Sequence, residues 1–358
     1  MKNLVILGCG YGGMKILSSI IPNLPYNLLV TIIDKSPDHC LKTEYYALAA
    51  GTVSDEHIRI PFPTHPQVLL VNEEVLSLDL DKNLILLKNK DSIHYDDLII
   101  GLGCEDNYHH IKGADTYTQS IQTIEKAIQT YNCIRELPLH SRVAIIGAGL
   151  SGVELAAELN ESRPDLSVSL FDRGKTILSS YSIRVSNYVT KWFESRGVQI
   201  IHSSNITAIE KNTVYNHGEA NNFDCIVWTA GVKPNKVVQD LQVAKDKKGR
   251  ILLTKHHHLA NNEHIFVVGD CASLSEPSSA QLAEGQAEQI ALILNARWKG
   301  EKPPEKLPAI KVKGVLGSLG KKHGFGLVAN KPLTGRVPRL IKLGVLWKDK
   351  TKKRQFFK

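Results

Sequence analysis

A glycine pattern that occurs twice constrains this chain more than any other feature. Leu4-Val5-Ile6-Leu7 runs into Gly8-Cys9-Gly10-Tyr11-Gly12-Gly13, which sets glycines at 8, 10 and 13 as G-x-G-x-x-G. A second apolar run, Leu28 to Ile33, ends in Asp34, 21 residues after Gly13. The arrangement returns at Val143-Ala144-Ile145-Ile146 and Gly147-Ala148-Gly149-Leu150-Ser151-Gly152. There Val168-Ser169-Leu170-Phe171 ends in Asp172, 20 residues after Gly152. The first glycine of each set allows a tight strand-to-helix turn, the second lets backbone approach a pyrophosphate, and the third lets the helix pack closely on its sheet. The helix N-terminus attracts the phosphate charge, and the acid accepts hydrogen bonds from ribose hydroxyls. One such match is weak. Two, each with a strand before and an acid at the same distance after, point to two dinucleotide-binding βαβ units.

Composition narrows the class. The chain has 358 residues, 42% hydrophobic and 22% charged, enough for two or three cores and unlike a disordered chain. No apolar run reaches the 18 or more residues of a membrane span, and the strand-like run from Leu4 leaves no room for a targeting segment. The cysteines at 9, 40, 104, 133, 225 and 271 show no CxxC or CxxxxC spacing, which fits a reducing cytoplasm. His256-His257-His258, read as strand residues on alternating faces, do not converge on an ion, so no metal is expected.

The formal net charge of +8 is concentrated at one end. Residues 336–358 hold Arg336, Arg339, Lys342, Lys348, Lys350, Lys352, Lys353, Arg354 and Lys358 against Asp349 alone, so the remaining chain is neutral. Such a tail is either a docking segment for an anionic membrane surface or a solvated terminus. No basic patch with interleaved aromatics stands elsewhere, so nucleic acid is not an expected partner.

Further punctuation orders the chain. Tyr95-Asp96-Asp97-Leu98-Ile99-Ile100-Gly101-Leu102-Gly103 reads as a buried strand ending in a glycine turn, and Ile226 to Gly231 and Ile265 to Asp270 repeat the pattern. Residues 118–137 have helical periodicity, and 302–308 look like a linker. The expected fold is α/β with two Rossmann-like units, the second inserted into the first. The expected division is 1–113 and 241–325 for the first unit, 114–240 for the second, and 326–358 for a short C-terminal interface segment.

The chain resembles the type II NADH dehydrogenases (NADH:quinone oxidoreductases), which are FAD-dependent relatives of the pyridine nucleotide-disulfide oxidoreductases. Beyond the two fingerprints, the match rests on Ala49-Ala50-Gly51-Thr52, Tyr95-Asp96-Asp97-Leu98, Asn107-Tyr108 and Ile111-Lys112-Gly113. It continues through Gly152-Val153-Glu154-Leu155-Ala156-Ala157-Glu158-Leu159, Trp228 to Asn235, Val268-Gly269-Asp270-Cys271-Ala272 and residues 314–320. The return of the Gly-Asp strand near 270 to the first sheet is implied by this resemblance alone. So are the cofactors: FAD on Gly8, Gly10, Gly13 and Asp34, with Asp270 at the ribityl-phosphate part, and NADH on Gly147, Gly149, Gly152 and Asp172. Lys42, Thr43, Gly103, Gly231 and Gly269 join them as cofactor contacts. An acid at 172 favours NADH over NADPH, with Arg173 beside it pulling the other way.

Glu154 is the candidate catalytic residue, which the resemblance sets beside the nicotinamide and flavin rings. Ser151-Gly152-Val153-Glu154 is equally an S-x-x-E capping box, so a helix-capping role stands as the alternative. The resemblance implies hydride transfer from NADH to flavin N5 and then electrons to a membrane quinone. It also implies a cytoplasmic protein peripheral to the inner face of the cell membrane, with a homodimer as one way to pair two tails.

Two departures bear on the acceptor. The family's quinone-side motif A-Q-x-A-x-Q reads Ala280-Gln281-Leu282-Ala283-Glu284-Gly285 here, so Gln281 is kept and the second glutamine is glycine. The tail is also short, with an apolar stripe over 339–347. These favour, as the first alternative, a soluble NADH oxidase or diaphorase using oxygen or a small acceptor; a low-turnover redox-sensing flavoprotein is a second. Disulfide-reductase chemistry of the thioredoxin or glutathione reductase kind lacks its cysteine pair, and Cys40 is read as a packing thiol in preference to a catalytic one.

Overall fold

The computed structural model describes residues 1–89, 91–329 and 331–355. The apolar runs become parallel strands covered on both faces: Leu4, Val5, Ile6 and Leu7 are consecutive and all buried, which a sheet wet on one face would not allow. Six strands form the first sheet, in the spatial order His258–Leu259, Asn262–Val267, Asp97–Ile100, Lys2–Leu7, Leu28–Asp34, Val68–Asn72. Asn262–Val267 pairs in parallel with Asp97–Ile100, so the strand before Gly269-Asp270 does return to the first sheet.

Between those two neighbours the chain builds a second, five-stranded parallel sheet. Its order is Gln119–Ser120, Cys225–Trp228, Arg142–Ile146, Ser167–Phe171, Gln199–Ile201. The periodic stretch 118–137 is helical only over Ile124–Arg135. Thr123 starts that helix by accepting the Lys126 N–H on its hydroxyl, which leaves Gln119–Ser120 free to edge the sheet. The short helix Tyr45–Ala49 packs against both Ile124–Arg135 and the second fingerprint helix, Leu150–Ser162. Buried side chains from both units therefore join in one large cluster, with two smaller buried clusters apart from it. Each fully buried Leu or Ile in it contributes roughly 1.5–3 kcal/mol.

A third, antiparallel sheet, Gly314–Leu319, His323–Val328 and Lys331–Gly335, leads into the C-terminal helix Arg336–Gln355. That helix is far longer than the stripe over 339–347. Lys358 lies outside the described residues, as do the side chains of Asp349, Lys352, Lys353 and Arg354. The reading of the tail as uniformly solvent- or membrane-facing charge is corrected at Lys342, which is only 8% exposed and points into the protein.

Candidate active site at the two glycine turns

The two fingerprints fold alike, down to their acids. Gly8 and Gly147 take φ of +80° and +108°, a region closed to most side chains, and turn each strand into its helix. Helix Tyr11–Ile20 has Gly10 at its N-cap and Leu150–Ser162 has Gly149, and neither is capped by a side chain. A Cβ added at either glycine would meet nothing within 4 Å. Each helix N-terminus thus faces open space with its N–H groups unengaged by a side-chain cap, the shape and sign a pyrophosphate requires. At the third glycines the opposite holds: a methyl on Gly13 would sit on the carbonyl oxygen of Gly8, and one on Gly152 on that of Gly147.

Asp34 accepts the Cys9 N–H at 2.7 Å and the Ser36 N–H at 2.8 Å, while Asp172 accepts those of Ala148 at 3.1 Å and Gly174 at 2.7 Å. Each carboxylate ties the glycine turn to its own strand and keeps further lone pairs for a ligand. Burial raises the pKa of Asp34 against the pull of the Ser36 and Cys9 hydrogen bonds.

Three predicted residues converge at the carboxyl ends of the first sheet, around one the sequence reading did not single out. Cys104 donates to Asp270 at 2.8 Å and accepts from Lys42 Nζ at 3.4 Å and from Gln122 at 3.0 Å. Gly103 immediately precedes it and accepts from the Cys271 thiol. Burial drives the Cys104 thiol up to about 12, with Lys42 opposing and Asp270 adding to the shift. Thr43 is 3.0 Å from the Tyr11 hydroxyl, which joins it to the first fingerprint. Gly269 donates to Gln286, and Gly231 lies under the His109 ring. The signal for Cys104 was its place directly after the strand-and-glycine turn 97–103.

Gln281 is drawn elsewhere. Its amide donates to the Gly314 carbonyl at 2.7 Å and accepts from the Lys313 N–H at 2.9 Å, so both of its ends are engaged by backbone. One turn further along helix Ala280–Trp298, a Cβ on Gly285 would meet Ile310, and Gln289 donates to the Pro308 carbonyl. Positions 281, 285 and 289 share a helix face, and residues 308–314 cross it as an extended strap. Gly285 is therefore a close-packing position occupied by Ile310. Gln286, one residue later, is buried and bonded to Gly269, Val267 and His257. The strand reading of the histidine triplet is corrected too: His257 sits in a turn at φ +64° and bonds to Gln289 inside the protein.

Glu154 does not close a capping box, because the helix begins at Gly149 and Glu154 reaches a different partner. It accepts the Ser318 N–H at 2.8 Å and forms a short buried ion pair with Lys342 of the C-terminal helix. Lys342 also donates to the Tyr46 hydroxyl at 3.0 Å, and Tyr46 and Arg339 both meet the Ser318 hydroxyl. Burial pulls the Lys342 ammonium down, yet Glu154, Tyr46 and Glu44 together hold it above its ordinary value.

Glu44 is the surplus charge here. It is buried, and its Oε1 has no hydrogen-bond partner. Burial pushes it from 4.5 up to about 7, helped by Glu154 and opposed by Lys342, Lys350 and Arg339. An acid whose pKa rises on folding takes up a proton as the chain folds, so stability falls as pH rises from 4.5 through about 7 and then levels off. Glu44→Gln is accordingly expected to stabilise by up to roughly 3 kcal/mol at about pH 8 and by almost nothing near pH 4. Urea unfolding at the two pH values reads this out. An equal gain at both would place the carboxyl in water.

The remaining cysteines separate into types. Cys40 is half-buried beside Ser36 with its pKa raised by burial, as a packing thiol would be. Cys133 and Cys225, 92 residues apart in sequence, bring their sulfurs within 3.6 Å.

Known proteins share this architecture. The family model described as pyridine nucleotide-disulphide oxidoreductase matches residues 2–299. The NADH dehydrogenase-like protein YutJ of Bacillus subtilis is 58% identical over 348 residues, covering 97% of this chain and 98% of its own. A type II NADH:quinone oxidoreductase of Staphylococcus haemolyticus is 25% identical, covering 95% and 93%. Among solved structures, NDH2 of Plasmodium falciparum in complex with NADH superposes with a TM-score of 0.85 at 17% identity, over 99% of this chain and 96% of that one. The water-forming NADH oxidase of Lactobacillus brevis bound to NADH gives 0.75 at 18%, over 92% and 76%. At such identities the superpositions show a common fold.

Proposed function

The chain belongs to the pyridine nucleotide-disulphide oxidoreductase family, and from that premise we propose that it is an FAD-dependent NADH dehydrogenase passing electrons to a quinone. FAD would sit on the turn 8–13 and NADH on the turn 147–152. The observation that carries this reading is the pair of uncapped helix N-termini facing open space, each beside an acid at its strand end. Bound flavin supplies the two-electron acceptor for the hydride of NADH.

What the chain contributes is position. Asp34 and Asp172 hold the glycine turns and offer lone pairs to ribose hydroxyls. Lys42 and Asp270, joined through Cys104, set a cation and an anion at the carboxyl end of the first sheet. Glu154, from the helix that follows the 147–152 turn, holds the third sheet at Ser318 and the C-terminal helix at Lys342 against that helix.

The acceptor is tested by comparing NADH oxidation by the FAD-loaded protein with a short-chain menaquinone analogue and with dioxygen. Turnover at least tenfold faster with the quinone supports the quinone reading. Equal or faster turnover with dioxygen moves the conclusion to an NADH oxidase or diaphorase. The engaged amide of Gln281 and the packing of Ile310 on Gly285 favour this second reading.

The C-terminal helix supports docking on an anionic bilayer. It is inside out: Lys342 is buried, while Val337, Leu340, Leu343, Val345 and Trp347 are exposed, Leu340 at 66% and Trp347 at 72%. An apolar stripe flanked by basic residues suits a bilayer interface, with each basic residue adding about 1 kcal/mol on anionic lipid. Co-sedimentation with vesicles containing anionic lipid, lost at high salt and in a Leu340→Glu/Trp347→Glu variant, is the expected result. Equal binding to neutral vesicles would contradict it.

A further inference from the structure

Cys133 and Cys225 lie away from both glycine turns, and nothing in the proposed chemistry uses them. Cys133 is in the last turn of helix Ile124–Arg135 and half-buried. Cys225 is buried and opens the strand Cys225–Trp228, an inner strand of the second sheet, where it pairs with Val143. Their sulfurs are 3.6 Å apart and in direct contact, against roughly 2.05 Å in a disulfide. The hydrogen bond with Cys225 lowers the Cys133 pKa, against burial and Glu136. The contact with Cys133, burial and Asp224 raise Cys225. The half-buried sulfur of Cys133 and the covered sulfur of Cys225 are placed as an attacking and a resolving cysteine.

We propose that Cys133 and Cys225 are a modification site, converted by a hydroperoxide into a reversible internal disulfide. The Cys133 thiolate attacks one peroxide oxygen, forming an S–O bond as the O–O bond breaks and hydroxide leaves. The Cys225 sulfur then forms the S–S bond by displacing the oxygen of the Cys133 sulfenic acid, which departs as water with the Cys225 proton. Two thiols lose two electrons and hydrogen peroxide gains them, giving two waters in all. Thiol exchange with a dithiol reverses the change. The bond locks the end of the helix to the strand whose far end, at Thr229 and Ala230, walls the Gly147 turn.

The FAD-loaded protein, treated with hydrogen peroxide, alkylated and digested without reductant, is expected to yield a peptide pair linked through 133 and 225. Two alkylatable thiols are lost, and dithiothreitol restores them. The melting temperature rises on oxidation in the wild type and not in Cys133→Ser. In Cys225→Ser, Cys133 is instead trapped as a dimedone adduct. The proposal is overturned if wild-type Cys133 proceeds to sulfinic acid with no 133–225 link, if it links between molecules, or if all six thiols remain alkylatable at peroxide excess. The wild-type peptide map decides this even if a serine variant folds poorly.

Discussion

Replacing Lys342 with methionine is expected to destabilise the protein by about 3–5 kcal/mol, the range measured when one partner of a buried ion pair is removed. The change leaves Glu154 buried against the Ser318 N–H with no cation on it, and it leaves the Tyr46 hydroxyl with the Ser318 hydroxyl but without the Lys342 ammonium. Arg339 is the nearest replacement, and it is already held by the Ser318 hydroxyl and the Lys321 carbonyl. The double change Glu154→Leu with Lys342→Leu is expected to recover most of the loss, because the desolvation penalty of both charges disappears together. Urea midpoints for the two single variants and the double close this cycle. A Lys342→Met protein within about 0.5 kcal/mol of wild type would mean the pair is solvated. Deleting residues 336–358 to test membrane docking removes Lys342 as well, so a truncation confounds docking with stability and the surface variants of the helix do not.

The second large effect separates the two glycine turns. Alanine at 152 puts a methyl on the Gly147 carbonyl and against the Thr229 hydroxyl, and alanine at 13 does the same to the Gly8 carbonyl. The helix must back away from the turn, and overpacking of that kind costs about 1–3 kcal/mol, roughly a five- to 150-fold loss of affinity for a ligand held there. Gly152→Ala is expected to keep its flavin and lose NADH affinity. Gly13→Ala is expected to be purified with its flavin depleted. Flavin content by absorbance and NADH affinity by titration distinguish the two. The reverse pattern would exchange the assignments of the turns.

Much of this architecture was readable because it is local. A fingerprint is a strand, a turn and a helix inside one short segment, and its acid lies at a fixed spacing, so residues 4–34 and 143–172 announce themselves. Buried parallel strands such as Lys2–Leu7 are continuous apolar runs for the same reason. What could not be read depends on partners brought together by the whole topology. Glu154 meets Lys342 from 188 residues away, in a stretch whose composition looks like a solvated basic tail. Cys133 and Cys225 have no motif spacing because one lies on a helix before the second fingerprint and the other on a strand after it. Gln281 matched a motif, yet the strap 308–314 takes its amide, and no periodicity in a Pro- and Lys-rich segment says where it will lie. The helix at 124–135 shows the reverse case, where periodicity over 118–137 overran a boundary that the capping hydroxyl of Thr123 sets.

The central claim is that the two turns hold FAD and NADH so that hydride passes between them. It is tested most directly by mixing the FAD-loaded protein with NADH in the absence of oxygen and following the flavin absorbance. The account predicts rapid bleaching with one NADH consumed per flavin, slowed at least about fivefold in Gly152→Ala at the same subsaturating NADH concentration. A flavin that stays oxidised in the presence of excess NADH, or a protein that takes up no flavin when FAD is supplied, would contradict it.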